Sequence, residues 1–207
     1  MKTLKYFLNP LALVAVVSSA HSEPVARTSQ NKELEKSMIK IYAQVQIDAP
    51  ISTVWTVVGE NFDQSSKFNV AATKTNYLKQ SEKIVGSQRR TVNAKGKVID
   101  VEIINYDPET KFLKWEIFNQ NVAPLEAGYS SYKLSSDGDG GTLLAQEAAF
   151  KMKYRIMHLI ARRKMTPIFI TELSAIKHLV ETGESITPAT KKTIVRQYKE
   201  AVRVLDK

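Results

Sequence analysis

The side chains that most often carry chemistry are sparse in this chain, and their spacing excludes several reactions at once. There is no cysteine, which rules out a thiolate nucleophile, cysteine metal ligands and disulfides. Three histidines are present, His21, His158 and His178. At about 100° per residue, the last two fall far apart around any helix that carries both, and Pro167 lies between them. They lack the spacing of a metal site and are expected to be ordinary helix-surface histidines. No catalytic residue, metal or cofactor is assigned on these grounds, and an enzyme is not the expected class.

Carboxylates and arginines leave more room. Asp100 and Glu102 share one face of a strand-like stretch, as paired carboxylates do, but they occupy the polar half of the alternation, which is expected to meet solvent. Glu147 stands in the apolar run Leu143–Phe150. Buried there, its carboxyl would titrate above the usual range, as such groups do at functional sites. Alternation leaves open whether it points inward. Arg89 and Arg90 are adjacent, so in a strand one of them must face the interior, where it would pair with Glu147 or with an anionic ligand headgroup.

The elements that would hold these residues follow from periodicity. Ile39, Ile41, Ala43, Val45 and Ile47 alternate with polar positions, the signature of a half-buried strand. Asp48-Ala49-Pro50 stops it, since proline lacks the donor a ladder needs. A short helix from Ile51 places Val54, Trp55 and Val58 on one face and ends at Gly59; a further turn or helix spans Asn61 to Phe68. Strands are then expected at Thr73–Lys79, Gln88–Asn93, Lys97–Tyr106, around Leu113–Ile117, at Tyr129–Ser135 and at Thr142–Lys153. Turn signals separate them, clearest at Asp137-Gly138-Asp139-Gly140-Gly141. Such a meander implies an antiparallel sheet with one covered face. From about Arg155 the period becomes helical, with Met165, Phe169, Leu173, Ile176 and Val180 as a stripe ending near Gly183. Pro167 predicts a kink, or a second helix capped by Thr166. A tail helix is expected from Thr187 and Pro188, with Ile194, Tyr198, Ala201 and Leu205 on one face.

Charge and the N-terminus bound the setting. The 207 residues suffice for one domain, and the formal net charge is +9. Lys2 and Lys5, the apolar run Leu11–Val17 and the small residues Ser18-Ser19-Ala20 form the basic, apolar, small order of a secretory signal. Residues 1–20 are therefore expected to be a cleavable signal peptide, 21–37 a linker, 38–183 the domain and 184–207 the tail helix. A periplasmic or secreted location is implied, and nucleic acid is not an expected partner. Lys151, Lys153, Arg155, Arg162, Arg163 and Lys164 cluster where the last strand meets the long helix. They suit an anionic membrane surface or an acidic protein, or simply a solvated face.

A strand, two short helices, a six-strand meander and a long C-terminal helix follow the order of the α+β helix-grip fold, a curved antiparallel sheet wrapped around that helix. Ile47-Asp48-Ala49-Pro50 with Val54-Trp55 resembles the opening of the SRPBCC superfamily of START-like and birch-pollen-allergen-like domains. Tyr106-Asp107-Pro108, Asp139-Gly140-Gly141-Thr142 and Glu181-Thr182-Gly183 narrow the resemblance to the bacterial polyketide cyclase/dehydrase and lipid-transport-like family, over roughly Met38 to Gly183. The resemblance implies an internal cavity for a hydrophobic or lipid-like molecule. Its candidate lining is Trp55, Ile103, Trp115, Tyr132, Met165, Phe169, Leu173 and Ile176, with Trp115 and Phe169 preferred because they come from opposing elements. Three functions are then open: a carrier or sensor, an accessory factor contacting a protein partner through its basic surface, and a polyketide cyclase-like enzyme. A dry tunnel would favour the first and a filled core the second. A buried Arg–Glu–Tyr cluster would reopen the third.

Overall fold

The computed structural model describes residues 35–205, and the expected signal and most of the linker lie outside them. From Ser37 onward the chain forms one compact unit. Strand β1 (Ile39–Ile47) is followed by a helix of little more than one turn, α1 (Ile51–Trp55), which runs into a π-helical turn (Thr56–Glu60) and a 3-10 helix (Phe62–Lys67). The meander then runs through β2 (Ala72–Lys79), β3 (Gln88–Asn93), β4 (Val98–Asp107), β5 (Phe112–Gln120), β6 (Leu125–Ser136) and β7 (Thr142–Met152). Helix α2 spans Arg155–Thr182. The strands expected from alternation are all present, with ends shifted by a few residues.

Two expectations at the C-terminus need correcting. Pro167 does not start a second helix; α2 runs through it unbroken. Proline removes one amide donor there, while Thr166 and Thr171 donate their hydroxyls back to the carbonyls of Arg162 and Pro167, each at 2.8 Å. The tail, in turn, is only partly helical. Helix α3 covers Lys191–Tyr198, and after a 3-10 turn Val202–Leu205 forms strand β8. Leu205 therefore shares no helical face with Ile194. Thr187 is not the residue capping α3 either, since Thr190 holds that position. The free edge of β1 explains the change, because β8 pairs with it from Val45↔Val202 to Tyr42↔Leu205. A strand edge offers unpaired backbone groups, and pairing overrides a weak helical pattern.

The sheet order is β2-β3-β4-β5-β6-β7-β1-β8, antiparallel throughout. Register shifts in the β2/β3, β4/β5 and β6/β7 pairs are the irregularities that let a sheet bend. Its inner face is apolar at alternate positions, as in Ile41, Ala43, Val45 and Ile47 of β1, and α2 packs against β1, β7 and β8. The motif residues at the two ends of the domain meet. The Asp48 amide donates to Glu181 Oε1 at 2.9 Å, and Lys177 pairs with both Glu181 and Asp48. Thr142, also motif-borne, is fully buried and donates to the Ala49 carbonyl at 2.7 Å. Gly183 closes α2 at φ 78°, its amide bonded to the Leu179 carbonyl, a conformation glycine adopts without a Cβ clash.

Trp55 is the largest fully buried side chain. Its indole lies against Gly59, where an added Cβ would stand 2.6 Å from three ring atoms, and the Tyr106 ring and the Lys111 ammonium each lie 5.4 Å from it. Gly59→Ala is therefore expected to destabilise the fold by about 1–3 kcal/mol through overpacking. An unchanged urea midpoint would show that the Trp55 ring has room to move.

Candidate ligand-binding site

Between the inner face of the sheet and the middle of α2 lies a cavity of about 190 Å³. Strand parity decides what lines it. In β3, Arg89 faces inward and Arg90 outward. Arg90 makes a bidentate pair with Asp100 through Nε and Nη2, both at 2.8 Å. In β7, Gln146 is buried while Glu147 lies on the outside, accepting from the Tyr129 hydroxyl at 3.0 Å with Lys40 3.8 Å away. One of the two arginines does point inward, as alternation requires, but its carboxylate partner is not Glu147. The carboxylate whose charge reaches it is Glu172, projected from α2 by the turn between Phe169 and Ile176, with no direct ion pair between the two.

The polar residues gather at one end of the cavity. Arg89 Nη1 donates to the Phe62 carbonyl at 2.6 Å, and its guanidinium lies over the Phe62 ring, 4.1 Å from the centroid. The Tyr132 hydroxyl donates to Glu172 Oε1. Arg89 and Glu172 are surrounded by protein, yet each keeps part of its surface against the cavity. Burial lowers the Arg89 pKa to about 10, with Tyr132 and Glu172 acting against the shift, so the guanidinium stays charged at neutral pH. Burial also holds the Glu172 carboxyl above its ordinary value, opposed by the Tyr132 hydrogen bond and the Arg89 charge. The Tyr132 phenol is raised further, first by burial and then by the neighbouring carboxylate, and remains a donor. Two buried polar atoms here have no protein partner, Arg89 Nε and Gln146 Oε1. Gln146 spends its amide on Ser130 Oγ at 3.3 Å. An unpaired buried donor and an unpaired buried acceptor are each costly to a fold, and the two residues that carry them line the cavity.

Most of the rest of the wall is apolar and includes Val101, Ile117, Leu125, Phe150, Met165 and Phe169, with Thr91 and Tyr129 among them. Ile168, half exposed, stands at the rim beside Asn69. Of the eight residues expected to line a cavity, Trp115, Met165 and Phe169 do so. Tyr132 lines a small adjoining void of about 30 Å³ that shares Arg89, Trp115 and Glu172 with it; its ring meets Trp115 edge-on at 4.9 Å. Trp55, Ile103, Leu173 and Ile176 do not line it. They are at most 1% exposed and belong to the main core cluster, because an apolar stripe marks an inward face without marking depth. Glu172 escaped notice altogether, although the sequence held a signal: a carboxylate three residues after Phe169 and four before Ile176, on the flank of an apolar stripe.

Other chemistry-bearing residues lie elsewhere. Asp100 is on the outer face as expected, but it does not meet solvent. Arg90 and Asn119 cover it to 1% exposure, and the Arg90 hydrogen bonds hold its carboxyl below the usual range. His158 bonds the backbone of Met152, and the His178 ring rests 5.7 Å from that of Tyr198. Both are more enclosed than surface histidines. Among the basic cluster, Lys151 pairs with Glu126 at 2.7 Å, Arg162 is half-buried, and Lys153, Arg155, Arg163 and Lys164 are exposed. A larger cleft, about 370 Å³, lies among β1, Lys177 and the residues around β8. Its lining is mostly polar, with Lys177 already engaged by Asp48 and Glu181. The inner cavity is the better candidate because it joins apolar walls to polar atoms without partners.

The raised Glu172 pKa makes a signed prediction. A carboxyl that resists ionising in the fold favours folding below its ordinary value of 4.5 and loses that advantage as pH rises through its raised value. Glu172→Gln should remove the loss. Urea midpoints from about pH 4 to about pH 8 should shift in the variant's favour with rising pH; parallel curves would show that Glu172 ionises freely.

The model of the family described as "Polyketide cyclase / dehydrase and lipid transport" matches residues 38–181. No curated protein matches the chain significantly. Among solved structures, the XoxI protein from Bacillus cereus superposes with a TM-score of 0.58 at 16% identity, covering 70% of this chain and 97% of its own. The Zhui aromatase/cyclase from Streptomyces sp. R1128 gives 0.60 at 12% identity, covering 70% and 94%. Ara h 8.0201 gives 0.55 at 16% identity, covering 70% and 99%. At such identities the likeness is one of fold.

Proposed function

Because this chain belongs to the polyketide cyclase/dehydrase and lipid-transport family, whose fold commonly binds hydrophobic ligands, we propose that it is an exported carrier or sensor of a small amphipathic molecule. The observation that carries this reading is the pair of partnerless atoms, Arg89 Nε and Gln146 Oε1, on two residues that line a mostly apolar cavity. A ligand that accepts from the guanidinium and donates to the amide oxygen would satisfy both, as a carboxylic acid, a phenol or a hydroxy-ketone can. Size narrows the class. About 190 Å³ is below the ~300–1,000 Å³ of sites for drug-sized ligands, though an apolar cavity of about 150 Å³ already holds benzene. A single ring or a short chain fits; a two-chain lipid would need the walls to part. Export rests on residues 1–20, and the basic residues beside α2 supply contact with an anionic surface or an acidic partner.

A second reading has its own support. Buried Tyr132 and part-buried Arg89 and Glu172 form an Arg–Glu–Tyr cluster, the parts that proton transfer next to a carbonyl would use. Glu172, titrating closer to neutrality, would take the proton, and Arg89 would stabilise the enolate oxygen. A cyclase-like enzyme would use the same cavity.

Native mass spectrometry with extraction of the bound fraction distinguishes these. The carrier reading expects a stoichiometric small-molecule adduct, weakened about tenfold or more by Arg89→Leu, given what a buried charged hydrogen bond contributes. Met165→Trp, which fills the cavity from a half-buried position, should abolish the adduct without unfolding the protein. A clean apo mass, and no uptake of single-ring acids or phenols, would overturn it. Exchange of ligand C–H for deuterium, lost in Glu172→Gln with binding retained, would establish the enzyme instead.

A further inference from the structure

The first turns of α2 carry apolar side chains where a surface helix is ordinarily polar. Tyr154, at its cap, is 61% exposed, Ile156 76% and Ile160 52%. At about 100° per residue, Ile156, Ile160, Arg163 and Pro167 fall within about 60° of one another, opposite the side formed by Ala161, Met165 and Phe169. That second side is the one packed into the protein. Exposed Lys153, Arg155 and Lys164 border the apolar stripe, Arg163 lies within it, and the chain has no acidic residue between Glu147 and Glu172. At its far end the stripe reaches Pro167; Ile168, about 100° further round the helix, is at the cavity rim.

We propose that this face of α2 docks on an anionic phospholipid bilayer, with Tyr154, Ile156 and Ile160 entering the interface and Lys153, Arg155, Arg163 and Lys164 held at the headgroups. Apolar side chains flanked by cations, with no anion among them, are complementary to a surface that is negative outside and apolar just beneath. An acidic protein would match the charges but leaves an isoleucine three-quarters exposed unexplained. Among the described residues no helix is long and apolar enough to cross a membrane, so α2 would lie on the surface. Docking in this orientation sets the rim at Ile168 to the side of the docked face, from which a hydrophobic ligand would enter. That last step rests on the carrier reading; the docking itself does not.

The test is co-sedimentation of the full chain with vesicles of phosphatidylcholine and phosphatidylglycerol, against vesicles of phosphatidylcholine alone. Binding is expected only to the mixed vesicles and should weaken as salt rises. Ile156→Asp with Ile160→Asp should lower it at least about tenfold, and Arg155→Gln or Arg163→Gln about fivefold each. All four side chains are exposed, so unfolding midpoints should hold. Equal binding to both vesicle types, or full binding by the double isoleucine variant, would overturn the proposal. So would an absence of vesicle binding, including one accompanied by capture of an acidic protein on this face. The carrier reading is scored separately, since the double variant should keep the cavity adduct seen by mass. Loss of that adduct in wild type, with vesicle binding intact, would remove the carrier and leave the docking surface.

Discussion

One helix has to cover the inner face of an eight-strand sheet. Strands spaced about 4.8 Å apart make such a sheet roughly 34 Å wide, while a helix with its side chains is about 10–12 Å across. A flat sheet would leave most of its apolar face in water. Bending the sheet around α2 resolves this, and the register shifts in three strand pairs relieve the ladder where it bends. Contact is closest where α2 meets β1, β7 and β8. Toward β3, β4 and β5 the helix lies farther from the sheet, and side chains must bridge the gap or leave it open. Trp55, Phe62 and Trp115 bridge part of it; the cavity is what remains.

The polar cluster occupies the end where bridging is incomplete, and stability alone does not account for it. A guanidinium and a carboxyl in an apolar enclosure cost desolvation energy that their attraction need not recover, and hydrophobic residues of similar size would fill the same space. The hydrogen bonds made by Arg89 and Tyr132 position the cluster without completing it, since Arg89 Nε and Gln146 Oε1 stay unpaired. On the outer face the same residue types behave differently. Asp100 receives two bonds from Arg90 and one from Asn119, and nothing is left over. The network outside is closed and the one inside is open, so only the inner one keeps polar capacity that the protein itself does not use.

Much of this was legible in the sequence, and what was not has identifiable causes. Strand existence followed from period two, and the turns from Gly, Asp and Pro at fixed positions, so the helix-grip order could be read directly. That one of Arg89 and Arg90 faces inward followed from the same rule. Depth did not follow. Ile103 and Trp115 are cross-strand partners on β4 and β5, equally apolar in sequence, yet one is sealed in the core and the other borders the cavity. The difference depends on how far α2 stands from each strand. The parity of β7 was undecided because both Gln146 and Glu147 are polar; it is settled by pairing, which sets Gln146 opposite Ala43 on the buried side of β1. The tail was misread because Val202–Leu205 is too short to show its period, and an open edge on β1 chose for it.

The two halves of α2 are held by different forces. Its C-terminal half is tied down. Leu173, Ala175 and Ile176 are fully buried, and Glu181 and Lys177 clamp the Asp48 turn at the end of β1. Up to Pro167 its buried apolar anchor is Ala161, while Ile156 and Ile160 face outward. Pro167 sits at the changeover, where the missing amide weakens the ladder by one bond. A helix anchored at one end and lightly held at the other will open first at the lightly held end, since local opening starts where the fewest buried contacts are lost. That end borders the cavity. The features that make α2 look poorly designed as a packing element (a proline in mid-helix and isoleucines in water) thus fall on the side that borders the cavity, and the contacts that tie the helix to the sheet are carried by the other.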